Sequence, residues 1–348
     1  MEFLIRLFRV KSNVIEGRIQ ILDYIRGMAI LLVLLHHSGV PGGDWILAFH
    51  MPMLFFISGY TDFLRKREWK FLDYIRNRFM RLMVPYFLFE LANLLLWQVY
   101  MLHYGGWQDM TEALKGILIV INTDTYVGFY GRLWFLPCMF VSDLLFWFVK
   151  QLCSKKYLGL CAGMMLLLSW ISCRMLPERL PFTVDTAFMA TAFLILGYVM
   201  GEQIQWLLMK KHRIADGMLF CAAVGLMAFF LSGSDTYCHM YTNQYGNYLG
   251  TVMAAIGGII GFLIAVKWIY TWNCKTGIGK DLVMWYSANS LATFPVHLMI
   301  KIVFLFYFSD YSTWYLLFAV MLIFNIPIVN TISVYFPFMI GQFKKKNV

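Results

Sequence analysis

The apolar runs of this chain are too long and too many for the core of a water-soluble protein. Stretches of roughly twenty residues with few charges recur from one end of the 348 residues to the other, and that is the length an α-helix needs to cross about 30 Å of hydrocarbon. Ten spans are predicted, near residues 22–40, 45–64, 82–102, 132–152, 157–173, 183–205, 214–232, 249–269, 283–308 and 314–340. The ninth is ambiguous at its start, where Asp281-LVMWYSANS carries polar residues suited to a re-entrant segment. With 60% hydrophobic and 14% charged residues, the composition lies well outside that of a soluble domain. The expected fold is an all-α integral membrane protein of about ten transmembrane helices. One membrane domain over 22–342 follows an interfacial arm over 1–21, where apolar and basic residues alternate, and precedes a basic tail over 343–348.

Charge placement predicts the orientation. With the N-terminus in the cytoplasm, most of the 29 lysines and arginines fall on the inner side, with the largest group (Arg65, Lys66, Arg67, Lys70, Arg76, Arg78, Arg81) between spans two and three. Lys344, Lys345 and Lys346 put the C-terminus on the same side. The net charge of +10 thus reflects topology and contact with anionic lipid, and nothing points to nucleic acid. No cleavable signal peptide is evident. The seven cysteines are scattered with no Cys-x-x-Cys pair, so neither a disulfide framework nor a metal site is expected. Cys238, in an outer loop, is the one thiol placed for oxidation. No internal repeat is visible.

The first span carries two groups that a simple membrane anchor does not need. Arg26 and His37 lie eleven residues apart, which is about three helical turns, so they share a face at a separation of about 16 Å. Ionisable groups inside a span are costly and mark candidate sites. The bland readings are a positive-inside anchor for Arg26, held by Asp23 three residues earlier, and a hydrogen-bonded packing histidine for His37.

Arg26, ten residues, His37, followed by Phe49-HMPMLFFISGY-Tyr60, resembles the N-terminal signature of the acyltransferase 3 family. Gly131-RLWFLPCMF-Phe140 and Ser287-ANSLATFPVH-His297 are similar to segments of its fucose 4-O-acetylase-like branch, and Arg78-FMRLMVPY-Tyr86 is similar to the basic stretch before its third span. One departure is His36, which stands where a small residue often precedes the family histidine. The resemblance covers residues 20 to 300 in family order. It implies a bacterial inner-membrane enzyme that takes an acetyl or other short acyl group from acetyl-CoA (or another acyl-CoA) on the cytoplasmic side. The group would go to a hydroxyl of a surface or lipid-linked carbohydrate, with no permanently bound cofactor.

That chemistry asks for cations beside the CoA phosphates, for which Arg26, Arg65, Arg78 and Arg81 are the candidates. It asks for a neutral imidazole to take the hydroxyl proton, assigned to His37 with His36 as the neighbour 100° around the helix. It also asks for donors to the thioester oxyanion, drawn from Ser58, Tyr60, Trp134 and Asn289. Among these, Ser58 joins His37, Arg26 and His36 in the catalytic set, and His50, Tyr60, Trp134, Asn289 and His297 are expected to line the acceptor pocket. Glu90 is expected to form an ion pair with Arg81 or Arg78, and Asp143 to pair with Lys301 or with polar backbone. The outer aromatics Trp107, Tyr126, Phe129, Tyr130, Tyr237, Tyr241, Tyr245 and Tyr248 are belt residues or a platform for a sugar ring. The competing class is a transporter or export component for a polysaccharide or small polar solute. It should show broken helices in corresponding halves of a repeat, and the sequence shows no repeat.

Overall fold

A computed structural model describes residues 20–65, 68–107, 109–120, 133–176, 178–210, 213–233, 235–272, 277–308 and 313–343. Among them nine helices are long and apolar enough to cross a bilayer. A tenth, α1 (Gln20–His37), matches several of these in length with 18 residues, but Asp23, Arg26, His36 and His37 dilute its apolar character. The chain is an all-α multi-pass membrane protein. Backbone polar groups cannot be left open in hydrocarbon, and helices close them within one segment.

After α1, a short helix α2 (Gly43–Leu47) leads into α3 (His50–Arg65). Helix α4 (Phe71–Arg78) then passes through a π turn at Phe79–Met83 into α5 (Val84–His103). The third span therefore begins eleven residues before its predicted start, because the basic residues ahead of residue 82 are helical without being apolar. Next come α6 (Met110–Ile119), α7 (Phe135–Leu152), α8 (Leu158–Met175), α9 (Val184–Val199) and α10 (Gly201–Met209). Helix α11 (Arg213–Leu231) is joined to α12 (Tyr248–Trp272) by a loop in which β1 (Cys238–His239) pairs antiparallel with β2 (Gln244–Tyr245).

The ninth predicted span is two helices, α13 (Ile278–Ala288) and α14 (Ser290–Tyr307), followed by α15 (Trp314–Tyr335). The break falls at Asn289, whose backbone leaves the helical region at φ −108° and ψ 17°. Its side-chain amide donates to the Trp285 carbonyl at 3.0 Å, so the polar run forms a junction between two helices. Helix α13 lies along α1, with the Val283 carbonyl so close to Gly27 that a Cβ there would collide with it.

Small residues set the other close contacts, as expected where helices associate by shape and not by expelling water. Gly59 of α3 faces the Leu194 carbonyl of α9, and Gly197 of α9 faces the Phe56 carbonyl of α3. Each glycine makes room for the other helix's backbone. Charges at membrane depth are answered by partners. Lys267, with its side chain 3% exposed, pairs with Asp216 at 2.6 Å and donates to the Lys210 carbonyl at 2.7 Å. Lys150 pairs with Asp62 at 2.5 Å, over the rings of Tyr198 and Phe146.

Cys238 corrects an expectation. It is buried in the hairpin between α11 and α12, and burial pushes its thiol up to about 12, which makes it a poor target for oxidation. The close thiols are Cys153 and Cys161, with sulfurs 3.4 Å apart at the α7–α8 junction. A mild oxidant should crosslink that pair and leave Cys238 unmodified, read by mass spectrometry of the digested protein. Replacing Gly59 or Gly197 with Val should destabilise the protein by about 3 kcal/mol, the upper end for overpacking. Gly163→Val, at a position with nothing near its Cβ, should leave the melting temperature in detergent unchanged.

Candidate functional site

The helices bring the predicted site residues into two cavities, one nearer the basic end of the bundle and one at the far end. The basic-end cavity, of about 210 Å³, is lined by Arg26, Ser58, Arg78 and Ser290 among apolar side chains from α1, α3, the π turn, α7 and α14. Arg26 reaches it from the second turn of α1, held by Asp23 at 3.3 Å and by the Thr61 hydroxyl on α3. Arg78 stands just before the π turn, 3.2 Å from Asp143 of α7 and over the ring of Tyr74. Asp143 is thus the partner of Arg78 and not of Lys301. A wider mouth of about 790 Å³ opens on the same side, lined by Lys70, Arg76, Arg81 and Trp69 with Asp73 and Glu68. Gly341 closes it in a left-handed turn (φ +68°) that lies against the Arg81 backbone.

The far-end cavity, of about 320 Å³, is a histidine chamber. His36 and His37 at the end of α1, His50 at the start of α3 and His239 in the hairpin line it, with Asp44, Trp134, Tyr241 and Lys301. The His36 ring lies 5.0 Å from that of His50 and 5.6 Å from that of His37. His297, fully buried on α14, stacks edge-on to His37 at 4.9 Å.

Two tautomers follow from carbonyl acceptors, which cannot donate. His50 Nδ1–H donates to the Ile46 carbonyl at 2.8 Å, and His297 Nδ1–H donates to the Thr293 carbonyl at 3.1 Å. The Nε2 atom of His297 is left as a buried acceptor without a partner. Burial holds the His239 imidazole below the usual range, against the opposite pull of the Asp44 carboxylate, so it is neutral at pH 7. Among the described residues no group of histidine, cysteine and carboxylate side chains is arranged to hold a metal ion.

Several predicted residues fall elsewhere. Tyr60 lies ten residues along α3 from His50, about 15 Å toward the basic end, where it stacks on Phe63 and lines neither cavity. Asn289 serves the helix junction. Ser58 faces the basic-end cavity and so cannot touch His37 from there. Arg65 is exposed at the end of α3, outside both cavities. Glu90 pairs with neither Arg78 nor Arg81. Its carboxylate, fully buried, accepts the Leu133 backbone N–H at 3.2 Å and so closes the first turn leading to Trp134 and α7.

Tyr237 stands edge-on to His239 at 5.3 Å, and among the described members of the expected platform only Tyr241 lines the chamber. Tyr126, Phe129 and Tyr130 lie outside the described residues. Lys301 and His239 were not foreseen as chamber residues. The signal for Lys301 was present, since it follows His297 by four residues and shares its helix face.

Residues 19–339 match the acyltransferase domain of the acyltransferase 3 family. The chain belongs to that family. Its members are acyltransferases, and this membrane protein is one of them. A comparison with curated proteins finds no match.

Asp143→Asn should leave the Arg78 guanidinium uncompensated and cost about 3 kcal/mol, as for other broken buried pairs. The double replacement Arg78→Leu with Asp143→Leu should recover most of that loss in thermal unfolding in detergent, while a surface pair such as Lys115–Glu112 can be removed without measurable effect.

Proposed function

We propose that this acyltransferase moves an acetyl or other short acyl group from cytoplasmic acyl-CoA to a hydroxyl of a cell-surface or lipid-linked carbohydrate. It would do so in a bacterial inner membrane, as an enzyme of the fucose 4-O-acetylase-like branch. One observation carries the reading. The cationic cavity and the histidine chamber meet end to end at a shared residue, Phe294, so ligands from opposite faces approach one another inside the bundle.

The basic end suits the donor. Arg76, Arg81 and Lys70 at the mouth, then Arg26 and Arg78 deeper in, offer cations at the depth where the phosphates of CoA would stop. The thin pantetheine arm carries the thioester on toward the chamber. The acceptor enters from the far end, beside Tyr241. His37 takes the proton from its hydroxyl as the oxygen attacks the thioester carbon. The carbonyl oxygen becomes an oxyanion, for which Trp134, the predicted donor that lines the chamber, offers its indole N–H. The C–S bond then breaks, and the sulfur leaves with the proton returned from the imidazolium. An ester and free CoA thiol result. His36 and His50 shape the acceptor side, and His297 backs the His37 ring.

Detergent-purified protein should bind acetyl-CoA and release CoA thiol slowly when water replaces the acceptor. His37→Ala should lower that turnover by about 10²–10⁴-fold, the usual weight of a general base, with binding retained. Arg26→Ala should weaken binding. A well-folded wild type that binds no acyl-CoA would favour the transporter reading. Turnover that survives His37→Ala would move the base elsewhere in the chamber.

A further inference from the structure

The two cavities are adjacent but not continuous, and one aromatic ring lies in the wall of both. Phe294 is buried on α14, and its ring lies 4.8 Å from that of Phe135, which in turn lies 5.2 Å from that of Phe55. On the other side it stands edge-on to His297 at 5.7 Å. Below this partition lie Arg26, Arg78 and Ser58, and above it lie His37, Trp134 and Lys301. Any thioester that enters past the arginines and reacts at the histidines must bring its carbonyl carbon to the level of this ring.

Two features mark the backbone carrying Phe294. The helix is broken five residues earlier at Asn289, and the next residue is Pro295, inside the helix. Proline has no N–H, so the hydrogen bond that the Leu291 carbonyl would accept from residue 295 is missing. The ring therefore sits on a turn of helix that lacks one backbone hydrogen bond, one turn beyond the break at Asn289, while its neighbour Phe55 stands within α3 and Phe135 is the first residue of α7.

We infer that Phe294 is the specificity-determining residue for the acyl group: its ring, laid against Phe135, leaves a slot between the donor cavity and the histidine chamber that admits a short acyl group and rejects longer ones. The inference rests on the acyl-CoA reading above and adds to it the residue that sets acyl length. At the level of the ring the passage is bounded by Phe135 on one side and His297 on the other, so each added methylene there meets packed atoms. One methylene of misfit is worth roughly a 10–200-fold discrimination in an apolar site.

The test compares thiol release from acetyl-CoA and butyryl-CoA by the purified full-length protein, wild type beside Phe294→Ala and Phe294→Leu. Each protein is scored by its own butyryl-to-acetyl ratio of kcat/KM, a quantity that does not depend on the fraction folded. Wild type should favour acetyl. The ratio should rise by about tenfold or more in Phe294→Ala and by less in Phe294→Leu, which keeps an apolar side chain if the alanine variant does not fold. A ratio within twofold of wild type in every variant that folds overturns the assignment of Phe294 and leaves the acyltransferase reading standing. A wild type that turns over neither thioester overturns the acyl-CoA reading, and the inference falls with it.

Discussion

The ammonium group of Lys301, 2.8 Å from the carbonyl oxygen of His37, ties the end of one membrane helix to the flank of another. The last carbonyls of a helix have no partner within it, and the helix dipole makes that end negative. A cation supplied by α14 therefore answers both needs at once. It also fixes the relative height of α1 and α14, and the histidine pair depends on that height. His37 is the residue whose carbonyl is held, and His297 stands one turn before Lys301 on the same face. Were the two helices to slip by a turn, the rings now 4.9 Å apart would face other partners.

The basic end obeys the same rule in another form. Arg26 and Arg78 belong to different helices, and each is anchored by a carboxylate, Asp23 and Asp143. Anchoring of this kind holds a guanidinium in place but uses part of its hydrogen-bonding capacity. An incoming anion then meets a fixed positive charge without the cost of ordering a long side chain. The residues at the wider mouth are more exposed and carry acidic neighbours, Asp73 and Glu68, which suits capture and release more than tight holding.

Much of the fold was legible because crossing a bilayer requires a run of fixed length and polarity, and both are properties of the sequence alone. The third span was misjudged at its start since Arg76, Arg78 and Arg81 interrupt the apolar run without interrupting the helix. The relative placement of Arg26 and His37 could be read because both lie on one helix, where spacing gives position, although the two line different cavities. Between helices that advantage is lost. Tyr60 and Asn289 were placed in the acceptor pocket by their presence in matching motifs, yet sequence does not say which level of the bundle a residue reaches. Glu90 was expected to pair with Arg78 or Arg81; among the described residues it holds a backbone amide, a partner that no pattern of side chains reveals. Lys301 was visible as a charge in a span, but its partner is a carbonyl 264 residues away.

The π turn at Phe79–Met83 has a consequence for how this chain tolerates change. Such a turn holds one residue more than the α-helix it interrupts, and one residue is worth about 100° of rotation. The face of α4 that presents Arg78 to Asp143 is thereby turned relative to the face of α5 that carries Glu90 toward Leu133. Loss of a single residue from this turn would leave a continuous helix of almost the same length. The two halves would nevertheless be out of phase, so the helix could satisfy the donor side of the bundle or the support of α7, but not both together.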